Sequence, residues 1–260
     1  MRDWRLVARS IFIGDVHGCL VELDALLSRL APADGDRFYF VGDLVDRGPD
    51  QAGAVRRVRE LVERFPGSAV VMGNHEDTVL RVRARGLPGG PGLDQLSADG
   101  WAFLGAMPLY LHVPACGAVV VHAGFFPAFF DKHVALGALS PTWRTDKGKR
   151  PERLRRFLRV RRIDDRGEMV ALGDTRAVEH WSSRYDGREG FCVFGHDPQL
   201  DPPEPLRRAH ALGIDTGCVF GGRLTAAVVP DGTSAAAASF VSVPAVATYA
   251  DPRRPIEDEA

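Results

Sequence analysis

The sequence predicts an α/β fold, and two patterns along the chain support this prediction. Short apolar runs recur, and each run ends in a polar turn flanked by glycine. Between the first three runs lie "VELDALLSRL" and "AGAVRRVRELVERF", whose apolar residues recur at helical spacing. The first part of the chain is therefore expected to be βαβαβ, whereas the later part is expected to consist of strands and loops.

Length and charge limit the class of protein. The chain has 260 residues, which fits one large α/β domain or two small ones. Its net charge of -1 gives no global field, and neither a DNA partner nor a membrane partner is expected. The four cysteines form no CxxC pair, and we interpret them as reduced thiols of a cytoplasmic protein rather than a disulfide framework or a zinc knuckle.

The first apolar run, residues 11–13, stops at Gly14 and is followed by Asp15, His17 and Gly18. Strand-to-helix turns often carry glycine and aspartate, which tolerate turn geometry and cap helices. On that interpretation Asp15 is a helix cap and His17 has no specific role. The alternative is that Asp15 and His17 belong to a ligand-binding site. The turns later in the chain help to choose between these two interpretations.

Polar turns of the same kind follow the other apolar runs. They carry Asp43, Asp46 and Arg47 in "GDLVDRG", Asn74 and His75 in "GNHE", His122 in "HAG", His196 in "GHD" and Asp215 in "IDTG". In open α/β sheets, ligands collect beyond the carboxyl ends of the strands. A helix cap explains one such turn but not their common placement, so the pattern favours a ligand site.

Six of these side chains offer oxygen or nitrogen ligands, and none is a thiolate: Asp15, His17, Asp43, Asn74, His122 and His196. Mixed sets of this kind suit manganese, which we expect here, or iron, zinc, cobalt or nickel. Six ligands are too many for one catalytic ion with an open position, and they fit two ions that share a bridging carboxylate. Two metals about 3.5–4 Å apart can activate water and clamp the attacking and leaving oxygens of phosphoryl transfer.

Three further side chains lie in the same turns. His75 follows Asn74 directly and can face the site without binding metal. Asp46 could hold that imidazole in one tautomer, as a carboxylate does for a catalytic histidine. Arg47 offers a planar guanidinium suited to a phosphate.

Five motifs in order, "GDVHG", "GDLVDRG", "GNHE", "HAG" and "GHD", resemble the signature of the phosphoprotein phosphatase superfamily of calcineurin-like metallophosphoesterases. The resemblance spans the chain from Gly14 to about Pro230 and implies two packed β-sheets flanked by helices. It implies two metal sites, one with Asp15, His17 and Asp43, the other with Asn74, His122, His196 and a bridging Asp43. It also implies that His75 with Asp46 donates a proton to the leaving group and that Arg47 clamps the phosphate.

Other assignments follow from position along the chain. Asp215 is expected to orient a ligand or its turn, with a plain turn cap as the alternative. Four histidines without motif context are expected to be structural or exposed: His112, His133, His180 and His210. Residues 1–250 are expected to form a single domain, with about 127–188 an excursion over the site and 251–260 a frayed tail.

The substrate class is suggested by the segment from Arg144 to Arg162, which carries ten basic residues and two acidic ones. Its Trp143, basic stretch and "FLRVR", together with "IDTGCVFGGRLTA", resemble bacterial diadenosine tetraphosphatases. Arg159 and Arg161 alternate, so in an extended segment both would project to one side and could bind a polyphosphate. The alternative is a basic helix that only faces solvent.

The expected function is therefore hydrolysis of dinucleoside polyphosphates such as diadenosine tetraphosphate, with a small nucleotide as the substrate. A serine/threonine or broad-specificity protein phosphatase is the alternative, because Asp46 is present as in protein phosphatases, whereas enteric tetraphosphatases often lack that acid. Decapping of nucleotide-capped RNA, polyphosphate cleavage and an inactive metal-binding adaptor are further alternatives. Intact His75, Asp46 and Arg47 argue against the adaptor.

Overall fold

The computed structural model describes residues 7–87, 90, 92–132, 136–138, 143–144 and 150–252. Its strands are β1 (Arg9–Ile13), β2 (Arg37–Phe40), β3 (Ala69–Val70), β4 (Tyr110–Val113), β5 (Ala118–Val121), β6 (Arg162–Ile163), β7 (Met169–Val170), β8 (Glu179–His180), β9 (Phe191–Phe194), β10 (Leu206–Arg207), β11 (Ala211–Gly213), β12 (Arg223–Pro230) and β13 (Ser239–Pro244). Its α-helices are α1 (Leu20–Leu30), α2 (Gln51–Arg64), α3 (Asn74–Ala84), α4 (Ala98–Gly105), α5 (Pro127–Lys132) and α6 (Arg150–Arg155). Short 3-10 helices cover Leu93–Gln95, Pro114–Cys116, Leu136–Ala138, Arg156–Leu158, Trp181–Ser183 and Ala235–Ala237.

The predicted α/β fold is confirmed, with two five-stranded sheets. The first has the order β13-β12-β1-β2-β3, and the second has the order β10-β11-β9-β5-β4. Strands β1, β2 and β3 are parallel, and α1 and α2 connect them, as the βαβαβ prediction requires. Strands β5, β9 and β11 are parallel to one another in the second sheet.

The two sheets pack face to face. Side chains along β1 alternate between the face that meets the second sheet and the face that meets the helices. Phe12 is buried among residues of both sheets, including Val193 of β9 and Leu212 of β11. Its neighbours Ile11 and Ile13 point to the opposite face, where α1 and α2 cover the first sheet. One face of the first sheet therefore meets helices, and the other meets the second sheet.

The segment 127–188 adds the small antiparallel sheet β7-β6-β8. It returns to the core beside the end of β5, where the carbonyl of Phe157 accepts bonds from the amides of Ala123 and Gly124 at 3.3 and 3.2 Å. Phe157 is buried in a cluster of aromatic rings that includes Phe125 and Phe129. The segment is thereby fixed next to the turn that carries His122.

Two further points concern membrane-spanning helices and the residues outside the described ranges. No helix in the described ranges combines the length and the hydropathy needed to cross a bilayer. His133 and residues 253–260 of the expected tail lie outside the described residues.

Candidate metal centre

The carboxylate of Asp43 lies at the centre of the candidate site. Its Oδ2 atom is 3.3 Å from Nε2 of His122, 3.6 Å from Nε2 of His17 and 3.7 Å from Nε2 of His75. All four side chains are buried, with at most 4% of their surface exposed. The turns after β1, β2, β3 and β5 thus bring one acid and three imidazoles together, as the strand-end pattern predicts.

Glu76, in the first turn of α3, holds the loop that carries Asp43. Its Oε2 accepts bonds from the amides of Asp43 and Gly73 at 2.8 and 3.0 Å, and its Oε1 accepts from those of Leu44 and Val45 at 2.7 and 3.2 Å. Burial and the facing Asp43 raise the pKa of Glu76. Glu76 ends the "GNHE" motif, but nothing in the sequence indicates that its partners lie in the turn after β2.

Two of the histidines are held in one tautomer. Nδ1 of His17 lies 2.9 Å from the carbonyl of Val45, and Nδ1 of His122 lies 2.8 Å from the carbonyl of Val41. A carbonyl can only accept, so each Nδ1 carries the proton and each Nε2 presents its lone pair toward Asp43. This is the form in which a histidine binds a metal ion.

His196 and Asp15 meet across the two sheets. The Oδ2 of Asp15 accepts a bond from the amide of His196 at 3.0 Å. Nε2 of His196 is buried and has no hydrogen-bond partner among the described residues. Burial, followed by the charges of Asp215 and Asp43, raises the pKa of Asp15 well above its usual value. An unpartnered imidazole nitrogen and a cluster of crowded carboxylates are both features that a bound cation would satisfy.

The donor atoms fit two cations. Nε2 of His122 also lies 2.9 Å from Oδ1 of Asn74. Around Asp43, two groups have donor atoms that all lie within 4.8 Å of one another: His17, Asp43 and His75 in one, and Asp43, His122 and His196 in the other. Asp43 belongs to both groups, which is the arrangement that a bridging carboxylate requires.

His75 pairs with Asp46 in the predicted manner. Nδ1 of His75 lies 2.7 Å from Oδ2 of Asp46, and the backbone amide of His75 donates to Oδ1 of Asp43 at 3.1 Å. The imidazole is buried, whereas the Asp46 side chain is 39% exposed. Burial alone would raise the pKa of Asp46, but the bond from His75 lowers it below its usual value. Asp46 therefore remains ionised and fixes which nitrogen of His75 faces the site.

Arg47 is held at the edge of the site by an aromatic ring. Its guanidinium carbon lies 5.2 Å from the centre of the Phe220 ring, a distance typical of cation–π contacts. Its positive charge contributes to the low pKa of His17, although burial is the largest cause and the charge of His75 the next. Arg47 also follows Asp46 directly, and its backbone amide donates to Oδ1 of Asp46 at 2.8 Å.

Strained backbone is concentrated in these turns. In the described part of the chain, six non-glycine residues have a positive φ, and five belong to the candidate site: His17 (45°), Asp43 (51°), Asp46 (72°), Arg47 (71°) and His196 (69°). Such residues are uncommon, and they cluster at functional sites. The only sequence signal for this feature is the glycine that flanks each turn.

Two arginines of the basic segment 144–162 form ion pairs with a buried acid. Asp77 of α3 is fully buried and pairs with Arg144 at 3.4 Å and with Arg155 at 3.0 Å. These two arginines are therefore occupied by an acid that the sequence analysis did not single out. Trp143 is buried, and the guanidinium of Arg155 lies 5.8 Å from its ring.

Arg159 and Arg161 lie beside the turns that carry the donor atoms. Arg159 donates to the hydroxyl of Thr78 in α3 at 3.3 Å, and Arg161 donates to the carbonyl of His196 at 3.1 Å. The predicted extended segment is wrong at Arg159, whose ψ of -7° continues the turn of the preceding 3-10 helix. Arg159 consequently reaches helix α3 and Arg161 reaches the turn of His196, instead of both projecting together from a strand.

Asp197 supports Arg161 in a way that the sequence did not reveal. Its carboxylate lies 3.3 Å from Nε of Arg161 and 3.4 Å from Nε2 of His180, a buried histidine of β8. Asp215 accepts a bond from the amide of Gly217 at 3.0 Å, which stabilises its own turn. Burial raises the pKa of Asp215 to about 6.

The sequence and the fold resemble those of known phosphoesterases. The profile of the calcineurin-like phosphoesterase family matches residues 8–222. The asymmetrical bis(5'-nucleosyl)-tetraphosphatase PrpE of Oceanobacillus iheyensis is 30% identical over 244 residues, covering 84% of this chain and 88% of the relative. The symmetrical bis(5'-nucleosyl)-tetraphosphatase of Chromohalobacter salexigens is 33% identical over 260 residues, covering 82% of this chain and 92% of the relative.

A solved structure has a similar fold. The crystal structure of a protein proposed to be a diadenosine tetraphosphatase superposes with a TM-score of 0.68 at 28% identity. The superposition covers 92% of this chain and 95% of the other. The similarity therefore extends over nearly all of both chains.

We predict that Asp43→Ala removes more metal than Asp15→Ala or Asn74→Ala. The Asp43 carboxylate faces both groups of donor atoms, so its loss weakens both positions, whereas each of the other two is expected to serve one ion. The metal content of the three purified variants, measured by mass spectrometry after dialysis, checks this. Full occupancy in Asp43→Ala would rule out a bridging carboxylate.

Glu76→Gln is expected to lower the free energy of unfolding of the metal-free protein by about 2–4 kcal/mol. Glutamine replaces one carboxylate oxygen by an NH₂ group, so two of the four backbone amides lose their acceptor and face another donor. Urea unfolding measures this difference. Glu63→Gln is the matched control, because that side chain is 66% exposed and should change stability by less than about 0.5 kcal/mol. Equal stability of the two variants would contradict the assignment.

Proposed function

We propose that this chain, which belongs to the calcineurin-like phosphoesterase family of metal-dependent phosphohydrolases, hydrolyses dinucleoside polyphosphates such as diadenosine tetraphosphate. The observation that carries the substrate class is the similarity to two relatives named as tetraphosphatases, each over more than 80% of this chain. The placement of Arg159 and Arg161 beside the donor atoms supports the same class.

Six side chains would hold two divalent cations, for which manganese is the expected metal: Asp15, His17, Asp43, Asn74, His122 and His196. When bound, such ions polarise phosphoryl oxygens and lower the pKa of water. The tautomers of His17 and His122 and the unpartnered Nε2 of His196 support this set. Asp43 would be shared between the two ions.

His75 would move the proton in the reaction. Asp46 accepts the bond from Nδ1, so Nε2 of His75 is directed toward the cluster. In the imidazolium form Nε2 carries the second proton, which it would give to the departing phosphate oxygen, leaving the neutral imidazole with its proton on Nδ1. His75 lies close enough to Asp43 to be a ligand instead, and a carboxylate on Nδ1 suits both roles. The metal content of a His75 variant therefore separates them. The same imidazole could take a proton back in the reverse direction.

The arginines would bind the phosphates. Arg47, packed on Phe220, would hold the reacting phosphate by bidentate hydrogen bonds. Arg159 contacts Thr78 of α3, Arg161 contacts the turn of His196, and both would bind phosphates farther along the chain of the substrate. A monoester has no such phosphates, so these two arginines would act only on a polyphosphate.

Product analysis of the purified enzyme tests the substrate class. Diadenosine tetraphosphate and a serine phosphopeptide are incubated separately with the manganese-loaded protein, and the products are separated by chromatography. We expect nucleotide products and much slower dephosphorylation of the peptide. Two ADP indicate symmetrical cleavage, whereas ATP with AMP indicates asymmetrical cleavage. Faster turnover of the phosphopeptide would replace the proposal by the protein phosphatase alternative.

His75→Asn should keep both ions and lose roughly 10²–10⁴-fold in rate on diadenosine tetraphosphate, the usual size of general acid catalysis. The loss should be smaller for p-nitrophenyl phosphate, whose leaving group needs no proton. His112→Asn, on the exposed side of β4, is the matched control. Steady-state rates on both substrates, together with the metal content of the variant, test whether His75 donates a proton. An equal loss of rate on both substrates would contradict proton donation.

Arg159→Ala and Arg161→Ala should each reduce kcat/KM for diadenosine tetraphosphate about ten- to a hundredfold relative to p-nitrophenyl phosphate. A charge-assisted hydrogen bond contributes roughly 1.5–3 kcal/mol, and only the polyphosphate offers the extra phosphates. The exposed Arg153, in the same basic segment, gives the control Arg153→Ala. An unchanged ratio of the two activities would show that neither arginine selects for polyphosphate.

A further inference from the structure

We propose a separate zinc site formed by Cys19, Glu22 and Cys218. None of these residues belongs to the donor cluster around Asp43, and the site does not depend on the proposed hydrolysis. The sequence analysis treated the four cysteines as scattered thiols, since no two of them are close along the chain. The fold brings two of them together.

The three side chains present one donor atom each within a small buried volume. The two Sγ atoms and a carboxylate oxygen of Glu22 all lie within 4.8 Å of one another. Cys19 is 0% exposed, Glu22 1% and Cys218 2%. Cys19 precedes the first residue of α1, and Glu22 follows it by three residues, which places both on one side of the first turn.

Glu22 supplies an independent observation that points to a ligand. Its Oε1 accepts bonds from the amide of Val246 and from the hydroxyl of Tyr249, both at 2.9 Å. Its Oε2 is buried and has no hydrogen-bond partner among the described residues. An unpartnered buried carboxylate oxygen is costly, and a cation held by the three donor atoms would remove that cost.

A disulfide between Cys19 and Cys218 does not account for the same observation. It would join the two sulfur atoms but leave Oε2 of Glu22 without a partner. A divalent cation would bind both thiolates and that oxygen together. The unsatisfied carboxylate therefore favours a metal over a disulfide.

The donor set selects the metal. Thiolates suit soft and borderline cations, whereas magnesium, calcium and manganese prefer oxygen ligands. Zinc binds cysteine together with glutamate or aspartate, and it does so in tetrahedral sites. Three protein ligands are one fewer than a closed structural zinc site contains, so one coordination position stays open. The cluster around Asp43 contains no thiolate, so the two kinds of site would take different metals.

The zinc site would tie three parts of the chain together near the donor cluster. Cys19 follows His17 by two residues, and Cys218 follows Asp215 by three. Glu22 adds its bonds to the segment that contains Val246 and Tyr249. A cation here would fix the turn of His17 against the turn of Asp215.

Cobalt titration of the manganese-loaded, full-length protein tests the proposal, with cobalt as the spectroscopic probe for zinc. Thiolate-to-cobalt charge transfer gives near-ultraviolet absorption that only a cysteine site can produce. We expect this absorption to saturate at one cobalt per chain and to disappear on addition of zinc. It should be lost in Cys218→Ser and Cys19→Ser and weakened in Glu22→Gln. Cys116→Ser, which changes a buried thiol outside the group, should retain it.

Three outcomes would overturn the proposal. The first is the absence of charge-transfer absorption in the unchanged protein, a result that no misfolded variant can cause. The second is absorption that persists in a folded Cys218→Ser. The third is a thiol titration, after purification without reductant and denaturation, that finds two free thiols instead of four. That result would indicate a disulfide. Loss of phosphohydrolase activity affects none of these measurements.

Discussion

The site depends on a single constraint, the burial of the Asp43 carboxylate at the junction of the two sheets. A buried charge is costly unless opposite charges and hydrogen bonds surround it. Burial alone would raise the pKa of Asp43, but the facing His122 and His75 lower it well below its usual value. Glu76 then fixes the backbone of Asp43 and of the two residues that follow it, together with Gly73, through bonds to four amides. The other donor atoms converge on a position that these bonds define.

Much of this arrangement could be predicted from the chain. The alternation of apolar strands with amphipathic helices gave the parallel strands β1, β2 and β3, and the strand-end turns gave the polar side chains that meet there. The backbone of those turns could not be predicted, because a left-handed conformation at Asp43 or His196 has no periodicity. The contribution of Glu76 was also hidden, since three of the four amides that it binds belong to residues 31 to 33 positions away.

The basic segment 144–162 shows more clearly what amino-acid composition cannot predict, namely the partner of each side chain. Ten basic residues between positions 144 and 162 indicate an anionic ligand, but in the described part of this segment several arginines are directed by partners on other elements. A buried acid from another element, Asp77, holds Arg144 and Arg155. Such pairings join distant parts of the chain, and neither spacing nor charge density reveals them. The folded arrangement directs these two arginines to Asp77, whereas Arg159 contacts Thr78 and Arg161 contacts Asp197 and the turn of His196.

The left-handed turns imply that stability and activity conflict in this protein. A left-handed conformation costs a non-glycine residue of the order of 1 kcal/mol, so the five such residues of the site together cost about 5 kcal/mol. This cost approaches the roughly 5–15 kcal/mol that keeps a typical domain folded. Glycine would adopt each turn without that cost but provides neither imidazole, carboxylate nor guanidinium. Selection for thermal stability alone would therefore favour glycine at these positions and eliminate the site, whereas selection for activity keeps the strain.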